Sequence, residues 1–349
     1  MITPWGYPDF DAHEALHFVT DEKSGLRAII AMHSTHLGPA AGGTRFWHYA
    51  EDFEALTDAL RLSRGMSYKN AMAGLPLGGG KAVVLADKDR TKTREMLTAF
   101  GQAVNSLGGK YVTAEDVGMS VADMIEISKQ TKFVAGLPVE GGEVGGDPGP
   151  HTSLGVFLGI KAAVKRALGK DSLAGLHIAM QGAGSVAGGV CRHAAAEGAK
   201  LSIADVDSAR AEKLAAETGG MVVAPADILS TEADVVSPCA LGAILTEDSI
   251  AALRAPIVAG GANNQLATPQ DGQRLQARGI LYAPDYVINA GGIINVSTEY
   301  LGDGGQDLVR SRIEAIPGRL EQIWAESAAT GRDPAAVADA MAQKLIGRG

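Results

Sequence analysis

Residues 176–187 read LHIAMQGAGSVA. An apolar strand over 176–181 runs straight into Gly182-x-Gly184-x-x-Ala187, and a helix over 185–198 follows. Each small residue has a task in such a turn. The first glycine permits the tight bend, the second lets backbone approach a pyrophosphate, and the third position allows close helix–strand packing. The phosphates then lie on the helix N-terminus, where unsatisfied N–H groups and the helix dipole favour anions. Gly182, Gly184, Ser185, Val186 and Ala187 are the expected dinucleotide cradle. The motif is short, and a glycine turn that binds nothing reads the same. The next strand, 200–204, leads into Asp205, where a carboxylate bonds the adenosine ribose hydroxyls. A carboxylate there repels a 2′-phosphate, so NAD is expected over NADP. Arg210 is the nearby cation that argues the other way.

The alternation continues outward. A helix over 152–168 precedes the motif, a helix over 209–218 follows Asp205, and short apolar runs recur at Val222, Val235 and Ile257. Such a β/α alternation implies a parallel sheet with right-handed crossovers. Helices over 307–324 and 334–346 end the chain. The first third is mixed. Strands are expected over 27–33, 81–86 and 110–114, and helices over 51–72, 91–107 and 121–131. In 51–72, Phe53, Leu56, Leu60 and residues 63–66 fall near helical spacing. Between the halves, residues 136–150 (GLPVEGGEVGGDPGP) are too rich in glycine and proline for regular structure. They read as a loop lining a cleft, or as a linker.

Composition bounds the rest. A chain of 349 residues has room for two domains. Glycine contributes 45 residues, roughly twice the usual share of about 7%. With 46% hydrophobic and 20% charged residues, the chain can build a core, which excludes wholesale disorder. A net charge of −9 without a basic run argues against nucleic acid. Cys191 and Cys239 have no metal-ligand or Cys-x-x-Cys spacing and read as buried thiols in a reducing compartment. His33, His36, His48 and His151 also lack ligand spacing, so no metal is expected. The first 18 residues are acidic without an apolar core, unlike a signal peptide. No apolar run is long enough to span a membrane. A cytoplasmic protein is expected.

A second glycine-rich region lies near the start. Gly42-Gly43-Thr44-Arg45 is followed by residues 66–84, MSYKNAMAGLPLGGGKAVV. Lys81 sits between three glycines and Ala-Val-Val, so partial desolvation is expected. Desolvation lowers a lysine pKa towards what a general base requires, though an ordinary lysine at a loop edge fits the same pattern. Residues 111–118, YVTAEDVG, place Asp116 at a turn. It is either a proton relay for a nearby lysine or simply a turn-forming carboxylate.

Taken together these segments resemble the glutamate/leucine/phenylalanine/valine dehydrogenase family, with the leucine and phenylalanine enzymes nearest in pattern. The resemblance is carried by residues 38–45, 66–84, 113–118, 181–187, 237–245 (SPCALGAIL), 261–266 (GANNQL) and 282–296 (YAPDYVINAGGIINV), in family order. It implies an α/β fold of two domains around a cleft. Residues 1–140 form the substrate-binding and oligomerisation domain, to which a C-terminal helix at about 328–349 returns, and residues 141–327 form the doubly wound Rossmann NAD-binding domain. It also implies a homo-oligomer that reversibly deaminates an L-amino acid to its 2-oxo acid and ammonium, with NAD as cofactor.

By motif position the resemblance makes Lys69 the binder of the substrate α-carboxylate, with Gly42 and Gly43 backbone beside it. Lys81 becomes the catalytic base and Asp116 the group that protonates and deprotonates the substrate nitrogen. Thr152 falls where the family contacts the nicotinamide carboxamide. Asn264 falls near substrate and nicotinamide, and Cys239, Ala240, Asn263 and Asn289 fall on the cofactor side. Ala41, Ile293 and Val296 fall where the substrate side-chain pocket is shaped. The family's glutamate enzymes carry a lysine at the Ala41 position to pair the distal carboxylate. Its absence disfavours a glutamate-type reaction and favours leucine, valine, isoleucine or phenylalanine. A non-catalytic NAD or amino-acid sensor is the remaining alternative, but it has no reason to keep both Lys81 and Asp116.

Overall fold

The computed structural model describes residues 4–138 and 147–349. Most of the glycine-rich segment 136–150, including the glycines at 141–142 and 145–146, lies outside the described residues. The chain divides into two units. The first takes the described residues up to 138 with Val296–Gln306 and Ala342–Gly349, and the second takes Asp147–Asn295 and Asp307–Met341.

The first unit is a six-stranded mixed sheet. Its elements are β1 (Ala15–Asp21), β2 (Leu26–Ser34), β3 (Ala40–Ala41), β4 (Thr44–Trp47), α1 (Asp52–Met72), β5 (Gly78–Leu85), α2 (Arg94–Ser106), β6 (Tyr111–Val112) and α3 (Val121–Ser128). The strand order is β1-β2-β5-β3-β6, with β4 also on β5. β1–β2 and β2–β5 are antiparallel, and the pairs made by β3 and β4 are parallel. One face packs on α2 and α3 through Ile30, Phe46, Val84, Phe100 and Ile127.

Helix α1 lies where its sequence spacing predicts, and Leu60 and Ser63 of that spacing are buried, but Phe53 is not part of the buried face. Phe53 is exposed, and the buried ridge is Ala55, Ala59, Ser63, Ser67 and Ala71, each four residues apart. Residues four apart share a helix face. Small side chains along that face let the helix backbone settle onto the glycines of β5. A Cβ at Gly79 would run into the Ser67 backbone. Packing density, more than side-chain hydrophobicity, decides which face goes in.

Arg348, near the chain's end, closes this unit on its beginning. Its guanidinium donates to the carbonyls of Asp11 (2.8 Å), Ala12 (2.9 Å) and His33 (2.5 Å) and to His33 Nε2 at 2.7 Å. Nε2 faces both Arg348, which only donates, and Asp11 Oδ2 at 3.2 Å, which only accepts. The shorter 2.7 Å arginine contact favours Nε2 as acceptor, with the proton on Nδ1, 2.7 Å from Ser67 Oγ. Burial, the Arg348 charge and His13 together push His33 down to about 3 against the pull of Asp11. The unfolded chain takes up this proton near pH 6.5 and the folded chain does not. Stability is therefore complete above that pH and drains as pH falls towards 3. Melting temperatures between pH 7.5 and 5 should fall in the wild type and fall less steeply in His33→Gln. Parallel slopes would show that His33 is not the titrating group.

The second unit holds α4 (Gly149–Leu168), β7 (His177–Gln181), α5 (Ser185–Ala196), β8 (Lys200–Ala204), α6 (Ser208–Thr218), β9 (Met221–Val222), β10 (Val235–Pro238), α7 (Glu247–Ala252), β11 (Ile257–Val258), α8 (Gln270–Ala277), β12 (Leu281–Tyr282) and α9 (Asp285–Ile288). The later helices are α10 (Gly291–Leu301), α11 (Gln306–Glu314), α12 (Ile316–Thr330) and α13 (Pro334–Leu345). Its sheet runs β12-β11-β10-β7-β8-β9, and every pair is parallel. This is the doubly wound order, with the switch point between β7 and β10.

The single helix expected over 307–324 is two helices. Pro317 stands in the first turn of α12, where its missing N–H costs nothing but where it cannot continue α11. The sequence pattern does not show strands β1, β3, β4 and β12 or helices α7, α8, α9 and α10. Among the described residues no helix is long and apolar enough to cross a membrane. Among them no cluster of His, Cys, Asp and Glu is placed to hold a metal.

Candidate active site

In the first unit the sheet brings the glycine-rich segments together. Gly42 follows β3, and a Cβ there would overlap the Gly80 carbonyl of β5. Its own carbonyl accepts from the buried Tyr111 hydroxyl at 2.6 Å. A Cβ on Gly43 would lie 2.6 Å from the Glu115 carbonyl oxygen and 2.9 Å from Asp116 Cβ. Bare backbone thus borders Asp116. The 113–118 turn is pinned as well. Thr44 and Phe46 amides donate to the carbonyls of Ala114 and Val117, and Lys92 Nζ donates to the Gly118 carbonyl.

Lys81 opens onto this turn from β5. It is 5% exposed, and its Nζ lies 2.5 Å from Asp116 Oδ2. Burial pushes the Lys81 ammonium below an ordinary lysine, against the pull of the Asp116 charge. Burial alone would lift the Asp116 carboxyl, but Lys81 and Arg45 overcome it and hold the carboxyl low. Lys69 is half-buried in the last turn of α1. The next residue, Asn70, donates to the Gly78 carbonyl at 2.6 Å, which ties that turn to the start of β5. Ala41 is buried with Leu77, Val112 and Ala135, and Val296 and Tyr300 pack against them.

In the second unit the cradle forms at the ends of β7, β8 and β10. Gly182 has φ +106°, which side chains rarely adopt, and a Cβ there would lie 3.0 Å from the Cys239 carbonyl oxygen. Gly184 caps α5 without a side-chain bond and opens to free space, with Ser185 exposed and Val186 half-buried behind it. Ala187 is fully buried against the sheet. Asp205 Oδ2 accepts from the Ala183 amide at 2.7 Å, and Oδ1 accepts from the Asp207 amide at 2.9 Å. Arg210 is occupied by Asp207, Nε to Oδ2 3.0 Å.

Further along, Asn289 Nδ2 donates to Asn263 Oδ1 (2.8 Å) and to the Gly261 carbonyl (3.1 Å). Its own Oδ1 is buried without a partner among the described residues. The Gly261 amide points at Cys239 Sγ, 3.2 Å away. Asn264 is exposed with φ +52°, a left-handed geometry that asparagine tolerates, and Ala240 is exposed beside Cys239. Thr152 and Ile293 are half-buried in the same unit, and a Cβ on Gly292 would lie 2.7 Å from Thr152 Oγ1. An uncapped helix N-terminus, a positive-φ glycine, a fixed carboxylate and an orphaned amide oxygen together fit a dinucleotide.

Two family models match the chain. The Glu/Leu/Phe/Val dehydrogenase dimerisation domain covers residues 13–133, and the glutamate/leucine/phenylalanine/valine dehydrogenase domain covers 202–344. Leucine dehydrogenase of Bacillus subtilis is 46% identical, over 96% of this chain and 92% of that one. Valine dehydrogenase of Streptomyces coelicolor is 44% identical, over 97% and 94%. The crystal structure of L-tryptophan dehydrogenase from Nostoc punctiforme matches with a TM-score of 0.85 at 42% identity, covering 96% of each chain. The chain belongs to the Glu/Leu/Phe/Val dehydrogenase family.

As a member of that family the chain places Lys81, Asp116, Lys69, Gly42, Gly43, Ala41 and Val296 in its first unit. Gly182, Gly184, Ser185, Val186, Ala187, Asp205, Thr152, Cys239, Ala240, Asn263, Asn264, Asn289 and Ile293 lie in the second. Three polar residues at the Lys81 site escaped the sequence reading. Arg45 Nε is 3.2 Å from Asp116 Oδ2, its Nη1 is 2.6 Å from Asp58 Oδ2, and the Tyr49 hydroxyl donates to that oxygen at 2.6 Å. Arg45 ends the 38–45 segment, but nothing in the sequence pairs it with a helix residue 13 positions on.

Proposed function

We propose that the protein is an NAD-dependent dehydrogenase that reversibly converts an apolar L-amino acid and water to the 2-oxo acid and ammonium. The observation that carries this reading is the buried Lys81–Asp116 pair against the bare backbone of Gly43. Lys69, Lys81, Asp116, Ala41 and Val296 of the substrate half fall to the first unit, and Asn264 and Ile293 fall with the cofactor half to the second.

In this reading Lys69 supplies a fixed cation for the substrate α-carboxylate. Asp116 takes a proton from the substrate ammonium, leaving a neutral amine whose lone pair helps expel hydride from Cα. The N-terminus of α5 would hold NAD, which would supply the hydride acceptor. Neutral Lys81 takes a proton from the water that adds to the iminium carbon. Asp116 returns its proton to nitrogen, ammonia departs with the hydroxyl proton as the carbonyl forms, and Lys81 gives the water proton to solvent, which is the one proton the oxidation yields. The burial that lowers the Lys81 pKa favours the neutral form this step needs. With Lys81 neutral, the Arg45 charge still favours the ionised Asp116 carboxylate for its first task.

Asp205 supports NAD over NADP: its carboxylate is anchored by two amides, and Arg210 is engaged by Asp207. The apolar surroundings of Ala41 support a hydrocarbon side chain, because a distal carboxylate buried there would find no basic partner in that cluster. The small Ala41 also leaves space for an aromatic substrate, which is the second reading. The dimerisation-domain match supports a homo-oligomer, and two free cysteines support a reducing cytoplasm.

The test is reduced-cofactor absorbance across a panel of L-amino acids at alkaline pH, with NAD and with NADP. Apolar amino acids with NAD should give the highest kcat/KM. Ala41→Lys should lower the apolar values about tenfold or more, because the pocket would then bury an unpaired cation. Inactivity with every apolar amino acid overturns the reading. Unchanged leucine and phenylalanine kinetics in Ala41→Lys would remove Ala41 from the pocket.

A further inference from the structure

Asp116 does not face Lys81 alone. Its Oδ2 also receives Arg45 Nε, and Arg45 hands its other edge to Asp58, which in turn accepts from Tyr49. The row alternates in sign: Lys81 positive, Asp116 negative, Arg45 positive, Asp58 negative. Four elements supply it. Lys81 is on β5, Arg45 on β4, Asp58 on α1 and Asp116 on the turn after β6, while Tyr49 lies between β4 and α1. Strands β4 and β5 are parallel neighbours, with Arg45 opposite Val83. Arg45, Asp58 and Asp116 side chains are each about three-quarters buried, so solvent screens the row only in part.

We infer that Arg45 is a positioning residue that fixes the Asp116 carboxylate at Lys81, and that Asp58 sets how strongly its charge is felt there. The inference rests on the proposed roles of Lys81 and Asp116. A guanidinium suits the task because its planar fork bonds two carboxylates in fixed directions, which an ammonium cannot do. Electrostatically, Arg45 lowers both Asp116 and Lys81, whereas Asp58 raises Lys81. Neutralising Arg45 and neutralising Asp58 should therefore move the site in opposite directions. A purely structural ion pair predicts the same loss from either end.

The experiment compares wild type, Arg45→Met, Arg45→Lys and Asp58→Asn. It records kcat/KM against pH for leucine oxidation, NADH binding by fluorescence, and the Asp116 carboxyl titration by 13C NMR of labelled aspartate. Arg45→Met should move the pH profile and the Asp116 midpoint upward by about one unit, and Asp58→Asn should move both downward. Arg45→Lys should keep the profile nearly in place, since the charge remains, but lower kcat about tenfold because the fork is lost. NADH binding should stay within twofold throughout.

Shifts in the same direction from Arg45→Met and Asp58→Asn, or no shift in either, overturn the inference. If the wild type oxidises no amino acid, the parent reading fails, and the NMR midpoints still decide the electrostatic row. If Arg45→Met misfolds, the Asp58→Asn and Arg45→Lys arms carry the test.

Discussion

Lys81→Met is expected to lower turnover by about a hundred- to ten-thousandfold while the fold and NADH binding survive. The size follows from the role: in the proposed reaction nothing else at the site removes a proton from the attacking water. Methionine fills nearly the same volume, so β5 keeps its packing against the α1 ridge and β2. Removing one partner of a buried pair usually strands the other charge at a cost of about 3–5 kcal/mol. Here Arg45 still faces Asp116 Oδ2 at 3.2 Å, so the stability loss should be well under that figure. A thermal melt and an NADH titration on the same preparation separate lost chemistry from lost fold. Turnover within tenfold of wild type would remove Lys81 as the base.

The two units were legible in the sequence to different degrees, for physical reasons. The second follows from local signals. Gly182-x-Gly184-x-x-Ala187 sits between a strand and a helix, and each later strand returns parallel to the last. Such a fold is written in near-neighbour residues. The first unit is not. β3 and β4 are two and four residues long, too short to carry a period, and exist because β5 offers them an edge. In α1 the apolar spacing of Phe53, Leu56 and Leu60 marks the helix but only part of its buried face: Leu60 is buried and Phe53 is exposed. Its ridge is five small residues, of which Ser67 meets Gly79 while Ala55 and Ala59 pack with Ile29, Ala31 and Val83, and an apolar spacing does not single them out.

The site divides the same way. Lys81 stands out because three glycines precede it. Asp58 looks like any surface carboxylate of a helix until β4 brings Arg45 against it. The reach of arginine and the pairing of distant strands, rather than any motif, assemble that half of the charge row.

Gly42→Ala is expected to cost more than about 4 kcal/mol, or to prevent folding, which is exceptional for a single methyl group. The methyl would fall inside the Gly80 carbonyl, and neither backbone can yield freely. The Gly42 amide is held by the Val112 carbonyl at 3.1 Å, and its carbonyl by Tyr111. On the other side, the backbone of β5 is pressed by Ser67 at Gly79 and by the Tyr111 ring at Gly80. Gly65→Ala is the matched control. That glycine is an exposed interior position of α1 with nothing near a Cβ, so alanine should stabilise the protein by about 0.5–1 kcal/mol through helix propensity. Chemical denaturation of both variants measures the contrast. If Gly42→Ala unfolds within 1 kcal/mol of wild type, β3 is able to shift relative to β5. Bare backbone at 42–43 would then be a requirement of the ligand rather than of the fold, and the loss should instead appear in KM for the amino acid.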